Sequence, residues 1–540
     1  MTEYPGTGRR WGTLCAALLF AAIAAGLGAV ALRGLLELAT DILLGSVLPL
    51  EPVADGLWHA PAGPLEGRGA LLVPLLVAAG MVTAVLLSRA GGPQVNGTDG
   101  VIGAVNSRSL DGLTVRGAAA KLTGTAVTLG SGGSGGTEGP VAQVAASLGA
   151  AIARRLRLTE ADASMVVAAA LGAGVGALFQ APLGGALLSA ELLRRRGLRP
   201  RALLYALPAT PIAFGVFVLV YGYNPMFGIV DFGALLDPVA TAVLAGVGLV
   251  CALLARLYVV TFHRTGRLLR RARRRPVVTA AVAGALVGTV GIFVPAALGT
   301  GYGTVSLALS PAAVLALPLW LLLALPFVKI ATTAVTLHAG GVGGVFGPAI
   351  VIGGTAGAAC WRLAVAAGLE PGPAAACAIT GVAACLGAAV RTPLAASVFA
   401  VEIAGYLVPP AGLFVAVALA VACTRDITLF PSQQAARTPP RFRQLIDSVM
   451  LNADDMRRRA GPNRLIGGIR SRRRDRPGSS GEGCQLEPEI TPGLPDLADL
   501  PLDELLDEHR PEVNRAVRIA LHRRAAVGIV FAGHSAGGGS

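Results

Sequence analysis

The sequence predicts an all-α polytopic membrane protein with many broken helices, in which two halves form an inverted repeat. The 540-residue chain is 54% hydrophobic and only 14% charged, whereas a soluble domain carries roughly 25% charged residues. Its mean hydropathy is +0.65. Several apolar runs approach the ~20 residues that a helix needs to cross a bilayer. A glycine-rich stretch also occurs twice along the chain.

Apolar runs of near membrane-spanning length occur in both halves, at 11–32, 70–87, 239–255, 277–297 and 311–328. Shorter runs, broken by glycine or proline, lie around 124–150, 165–193, 345–368 and 374–408. The 72 glycines suit close packing of helices in lipid. We therefore expect an integral, multi-pass protein of the plasma or inner membrane, with membrane domain 11–430 and repeat halves of about 11–260 and 277–430.

The formal charge of +14 is almost all arginine, because lysine occurs only twice. The arginines form short clusters between apolar runs, which is typical of cytoplasmic loops. A nucleic-acid-binding protein would need this charge on one soluble face, so we expect no nucleic acid partner. Residues 1–10 and 431–540 are expected to be cytoplasmic. The longer tail is Arg/Pro-rich, then acidic, and is expected to be largely disordered.

The sequence indicates neither a cofactor nor an enzyme. The seven cysteines lie mostly in apolar runs and lack the C-x-x-C spacing of metal sites. The segment Gly132–Gly136 matches the G-x-S-x-G pattern of hydrolases, but it lacks the soluble strand–turn–helix context that gives this pattern meaning. We therefore expect no metal and no catalytic residues.

The repeated stretch reads KLTGTAVTLGSGGSGGTEGP at 121–140 and KIATTAVTLHAGGVGGVFGP at 329–348, with 12 of 20 positions identical. A second matched pair, APLGGALLSAE at 181–191 and TPLAASVFAVE at 392–402, extends the duplication. Arginines at 154, 155 and 157 follow the first copy, whereas only Arg362 follows the second at that distance. This asymmetry favours opposite orientations of the two copies in the membrane.

In each copy, an apolar helical run breaks into glycines and restarts at a Gly-Pro pair. Proline is favoured in the first turn of a helix. Helix N-termini carry unpaired N–H donors and partial positive charge, so they bind anions. Two broken helices that meet near the membrane midplane are typical of secondary transporters. The repeated stretch therefore predicts an anion site.

Glu138 is the main difference between the copies, because its counterpart is Phe346. A carboxylate inside a membrane segment costs a few kcal/mol, which indicates a function. Our hypothesis is a gate: ionised Glu138 occupies the anion site, and protonated Glu138 swings out. The alternative is a charge that only interacts with the helix dipole.

Four further charged residues occupy matched positions and are candidates for supporting roles. Glu191 and Glu402 end matched helices, where pairing with arginines or helix N-termini is expected and a proton path is the alternative. Lys121 and Lys329 are interpreted either as a source of positive potential along an anion route or as structural ion-pair partners.

These segments resemble the CLC family of chloride channels and chloride/proton antiporters, in its bacterial type without CBS domains. The segment GSGGSGGTEGP is similar to the family's G-[KR]-E-G-P signature, and GGVFGP to its G-x-F-x-P signature. The resemblance covers about residues 12–430. It implies the CLC-type inverted-repeat fold and a homodimer with one anion pathway per subunit. It also implies that Glu138 is the external gating glutamate and that Gly139, Val345 and Phe346 bind the anion.

The resemblance also marks departures from the family pattern. Asn96 stands at the position of the anion-coordinating serine, with Thr98 as a nearby hydroxyl, and the amide N–H₂ of Asn96 can still donate to an anion. Phe430 stands where the family has the inner tyrosine. Leu192 stands where it has the internal proton-relaying glutamate, and Thr137 where an arginine precedes the gate.

The function that we expect is membrane transport of chloride, or a similar small anion, in exchange for protons through Glu138. A passive chloride channel on the same fold is the first alternative, favoured by Leu192 and Phe430. The second is a non-transporting membrane scaffold that docks partners through its charged tail.

Overall fold

The computed structural model describes residues 7–45, 51–52, 58–59, 64–65, 67–89, 97–229, 237–406, 410–425 and 427–434. Three predictions lie wholly or largely outside these residues: the role of Asn96, the properties of the cytoplasmic segment 1–10, and those of the tail beyond 434.

The described chain is built mainly of helices. In the first half these are α1 Thr7–Leu43, α2 Leu72–Arg89, α3 Gly97–Ser107, α4 Val115–Gly130, α5 Glu138–Arg155, α6 Glu160–Leu178, α7 Pro182–Glu191, α8 Pro200–Tyr221 and α9 Pro238–Leu268. In the second half they are α10 Pro276–Phe293, α11 Tyr302–Leu307, α12 Pro311–Ala316, α13 Leu319–His338, α14 Phe346–Ala366, α15 Ala374–Val390, α16 Pro393–Glu402 and α17 Ala411–Thr424. A two-residue antiparallel pair, β1 Glu51–Pro52 with β2 Trp58–His59, lies before α2.

Eight of the described helices are long and apolar enough to cross a membrane. They include most of the long runs predicted from hydropathy, which confirms a multi-pass membrane protein. The apolar run 311–328 is divided between two helices, because α12 ends at Ala316 and α13 begins at Leu319. Pro318 lies at this break and lacks the N–H that would continue the helix. Leu317 before it is extended, with φ −67° and ψ 140°, as expected for a residue that precedes proline.

The two repeat halves are inverted with respect to each other, as the pairing of α7 with α16 shows. Glu191 at the end of α7 accepts hydrogen bonds from the N–H groups of Leu394 (3.3 Å) and Ala395 (2.8 Å) at the start of α16. Glu402 at the end of α16 accepts from Leu183 (3.0 Å) and Gly184 (2.6 Å) at the start of α7. Each helix therefore ends where the other begins, so the matched helices run antiparallel.

A second reciprocal set of hydrogen bonds joins the repeated stretches themselves. The N–H of Ser134 donates to the hydroxyl of Thr336 (3.3 Å), and the N–H of Val342 donates to the hydroxyl of Thr128 (3.1 Å). Ser134 and Val342 are matched positions of the repeat, as are Thr128 and Thr336. The two hydrogen bonds are therefore equivalent, and a local two-fold axis relates one to the other.

We predict that Glu402→Gln lowers stability, because the glutamine amide places an N–H₂ group against a backbone N–H that needs an acceptor. A buried hydrogen bond lost in this way costs about 1–3 kcal/mol. The check is a lower midpoint of thermal unfolding for the detergent-purified variant.

Glu37→Gln is the matched control, because Glu37 pairs with Arg33 at a site where its side chain is 34% exposed, and such pairs contribute only about 0–1 kcal/mol. An unchanged midpoint together with lost proton movement in Glu402→Gln would favour the proton-path alternative.

Candidate functional site

The N-termini of α5 and α14 meet at a pair of glycines. The N–H of Gly136 donates to the carbonyl of Gly344 (2.9 Å), and the N–H of Gly344 donates to the carbonyl of Gly136 (2.6 Å). A Cβ on Gly139 would lie 2.9 Å from the Cα of Gly344, so the two chains approach too closely for a side chain there. Both helix N-termini are thereby directed at the same small region.

The carboxyl group of Glu138 lies in this region and is buried, with 1% of the residue exposed. Its Oε1 accepts a hydrogen bond of 2.6 Å from the hydroxyl of Tyr302. Its Oε2 is buried and has no hydrogen-bond partner of normal geometry among the described residues. The carboxyl group thus occupies a confined position deep in the membrane domain.

Three glycines form the walls of this position, which we call the glycine cradle: Gly136, Gly344 and Gly347. A Cβ on Gly136 or Gly344 would overlap a carboxyl oxygen of Glu138, and a Cβ on Gly347 would lie 2.7 Å from Oε1. The backbone N–H groups of Gly139 and Gly347 also face the carboxyl group. The space left by missing side chains, together with two helix N-termini, suits a small negatively charged group.

Tyr302 is a residue that the sequence analysis missed. It begins α11, its ring packs edge-on against Phe179 with 6.0 Å between ring centroids, and it is buried. It lies outside both copies of the repeat, and the contact spans 164 residues along the chain. The only signal in the sequence is its place in the glycine-rich segment GTGYGT before an apolar run.

Lys329 supports the loop that precedes Tyr302. Its ammonium group is fully buried and donates to the carbonyls of Ala297 (3.1 Å) and Gly299 (2.8 Å). Gly299 in turn bonds the glycine-rich stretch of the first copy, donating to Gly132 (2.9 Å) and accepting from Gly135 (3.2 Å). Lys329 is thus bonded to carbonyl oxygens, not to a carboxylate as the ion-pair interpretation required. Its charge also interacts electrostatically with Glu138, in line with the positive-potential interpretation.

Lys121, the matched lysine of the first copy, is also buried. It lies inside α4, where its carbonyl accepts a 2.7 Å hydrogen bond from the hydroxyl of Thr125. Each lysine therefore lies within the helix that precedes the glycines.

The other predicted anion-binding residues that the structure describes gather at the same place. A Cβ on Gly139 would lie 3.4 Å from the hydroxyl oxygen of Thr98. The rings of Phe346 and Phe430 pack with centroids 5.7 Å apart. The carbonyl of Val345 accepts a 3.1 Å hydrogen bond from Tyr258. The structure therefore brings these residues together around the two helix N-termini.

Phe430 contributes its ring to this region, because its N–H already donates to the hydroxyl of Thr428 (3.1 Å). The segment 427–434 that carries it is anchored by Gln433, which donates to the carbonyls of Leu192 (3.1 Å) and Val390 (2.9 Å). Leu192, whose carbonyl accepts one of these hydrogen bonds, is fully buried.

An inverted-repeat membrane fold in which two helix N-termini meet at a buried carboxyl group is typical of secondary transporters. A family model described as voltage gated chloride channel matches residues 75–425. The chain therefore belongs to this family, the CLC family.

Curated relatives are distant in sequence. An uncharacterized protein of Methanocaldococcus jannaschii is 26% identical over 344 residues, which cover 63% of this chain and 82% of the relative. The H(+)/Cl(−) exchange transporter ClcA of Klebsiella pneumoniae is 29% identical over 297 residues, which cover 52% of this chain and 60% of the relative. The match thus spans about three fifths of that exchanger's length.

Two solved structures share the fold at 20% sequence identity. A slow cyanobacterial Cl⁻/H⁺ antiporter gives a TM-score of 0.63, with 76% of this chain and 94% of that chain covered. A CLC-type fluoride/proton antiporter gives a TM-score of 0.66, with 81% of this chain and 100% of that chain covered. At this identity the likeness establishes the CLC-type fold.

We predict that Gly136→Ala expels the Glu138 carboxyl group from the glycine cradle, because the three atoms nearest to the new Cβ all belong to the end of that flexible side chain. A structure of the variant is expected to show the Tyr302–Glu138 hydrogen bond broken. Gly100→Ala is the control, since a Cβ there meets nothing within 4 Å. An unmoved carboxyl group in Gly136→Ala would contradict our description of the cradle.

Proposed function

We propose that the protein exchanges chloride, or a similar small anion, for protons across the membrane, with Glu138 as the gate. One observation carries the proposal: a carboxyl group fills a cradle of glycines at two opposed helix N-termini. A carboxylate is itself a small anion, so the position that accepts it also suits a halide. The activity printed for the Klebsiella pneumoniae relative, H(+)/Cl(−) exchange, is consistent with this proposal.

In the proposed mechanism, the ionised carboxylate of Glu138 competes with the transported anion for the cradle. Protonation removes the negative charge, and with it the attraction to the helix N-termini and to Lys329. The neutral side chain then leaves, and an anion takes its place. When Glu138 returns, it must release its proton and displace the anion, so each cycle links anion movement to proton movement.

We further propose that the anion is bound on the inner side of this position by the N-terminal backbone of α5 and α14 at Gly139, Val345 and Phe346. Thr98 contributes a hydroxyl, and Asn96 an amide donor. The ring of Phe430 closes the inner side by packing on Phe346. Glu191 and Glu402 take no direct part, because their carboxylates already accept hydrogen bonds from helix N-termini.

Leu192 offers no titratable group at the inner side, so we propose that protons reach Glu138 there through water.

From the family resemblance we also propose a homodimer with one pathway per subunit. The tail from residue 431 is proposed to be cytoplasmic, because arginine clusters favour that side.

Reconstitution into liposomes tests the proposed function. With a chloride gradient imposed and external pH recorded, an exchanger drives protons against their own gradient. Chloride flux without proton movement would instead indicate a passive channel, and no flux at all would favour the scaffold.

We predict that Glu138→Gln loses proton movement and that its chloride flux no longer depends on pH. The wild-type flux is expected to rise as pH falls, because acid neutralises the carboxylate that blocks the cradle. Glu160→Gln is the control: Glu160 opens α6 just after the arginine-rich end of α5, whereas the cradle lies at the opposite end of α5. Retained proton coupling in Glu138→Gln would refute the gate.

A further inference from the structure

The hydroxyl group of Tyr302 and the carboxyl group of Glu138 lie side by side in the glycine cradle. A Cβ on Gly347 would lie 2.5 Å from the hydroxyl oxygen of Tyr302 and 2.7 Å from Oε1 of Glu138. The hydroxyl donates to that same oxygen at 2.6 Å. The O–H is therefore aimed at the place that the carboxylate fills, and any small anion that replaces the carboxylate comes within its reach.

Tyr302 is held independently of Glu138. Its ring packs against Phe179, and the loop before it is bound by the ammonium group of Lys329. Gly299 of that loop exchanges backbone hydrogen bonds with the glycine-rich stretch. When the Glu138 side chain leaves, these contacts remain, so the hydroxyl stays at the cradle.

The departure of Glu138 takes the carboxylate acceptor away from this buried O–H, which also lies beside Thr137, and an unsatisfied buried donor costs free energy. An anion in the cradle removes this cost by accepting the hydrogen bond. On the inner side, Phe430 has no hydroxyl to offer, and its N–H is bonded to Thr428. Tyr302 thus supplies a phenolic donor from a different element of the fold.

We propose that the Tyr302 hydroxyl is a ligand of the transported anion, serving first the Glu138 carboxylate and then a small monovalent anion such as chloride. The inference rests on the proposed function and adds a binding residue to it. Tyr302 is then a direct anion ligand, and its loss weakens anion binding even in a chain that has no gating carboxylate.

The experiment is chloride titration calorimetry on detergent-purified full-length protein. Glu138→Ala empties the cradle and removes competition by the carboxylate. In that background, Tyr302→Phe is expected to weaken chloride binding about tenfold or more, since hydrogen bonds to charged groups contribute about 1.5–3 kcal/mol. The phenylalanine keeps the ring that packs on Phe179.

Tyr205→Phe in the same background is the matched control. It also removes a hydroxyl that donates to a carboxylate, here Asp162 at 3.2 Å, but in another part of the fold. Its chloride affinity is expected to equal that of Glu138→Ala. A repeat of the pair in the Glu138→Gln background guards against misfolding of one double variant, with size-exclusion profiles as the check of integrity.

Equal chloride affinity with and without the Tyr302 hydroxyl, in well-folded variants, overturns this inference and leaves the proposed function standing. Absence of chloride binding in Glu138→Ala itself overturns the proposed function, and this inference with it. A loss confined to the Tyr302 variants supports both.

Discussion

The hydrogen bonds between Gly136 and Gly344 are the contact on which the site depends. Non-helical backbone at membrane depth is tolerated only where its polar groups find partners in protein or water. Here each glycine satisfies the other's N–H and carbonyl. These reciprocal hydrogen bonds hold the two glycine-rich helix interruptions against each other, so that α5 and α14 begin close to one point. Side chains at either glycine would meet the Glu138 carboxyl group.

The two halves of the chain both contribute to the environment of the gate. Glu138 belongs to the first copy of the repeat, whereas Tyr302, Gly347 and Lys329 belong to the second half. The reciprocal contacts of Glu191 and Glu402 hold α7 and α16 antiparallel elsewhere in the same two-fold arrangement. A shift of one half against the other therefore changes the surroundings of the carboxyl group directly.

The repeat predicted much of this arrangement, because glycine and proline patterns report local backbone chemistry. The starts of α5 and α14 and the inversion of the halves follow from it. Tyr302 could not be found in this way, since its contact with Glu138 is tertiary and it has no place in the repeat. The carbonyl partners of Lys329 were missed for the same reason. Composition marked 311–328 as one apolar run, whereas Pro318 lies between two helices there.

The difference between Glu138 and Phe346 has a consequence for how such a protein can arise. Two identical half-length chains around the same two-fold axis would place either two carboxylates or two phenylalanines beside the cradle. Two carboxylates in one small site repel each other, and one would have to stay protonated. Two phenylalanines would leave no titratable group. A single gate opposite a phenylalanine requires the two halves to be encoded separately, as they are in this continuous chain, where each copy can diverge alone.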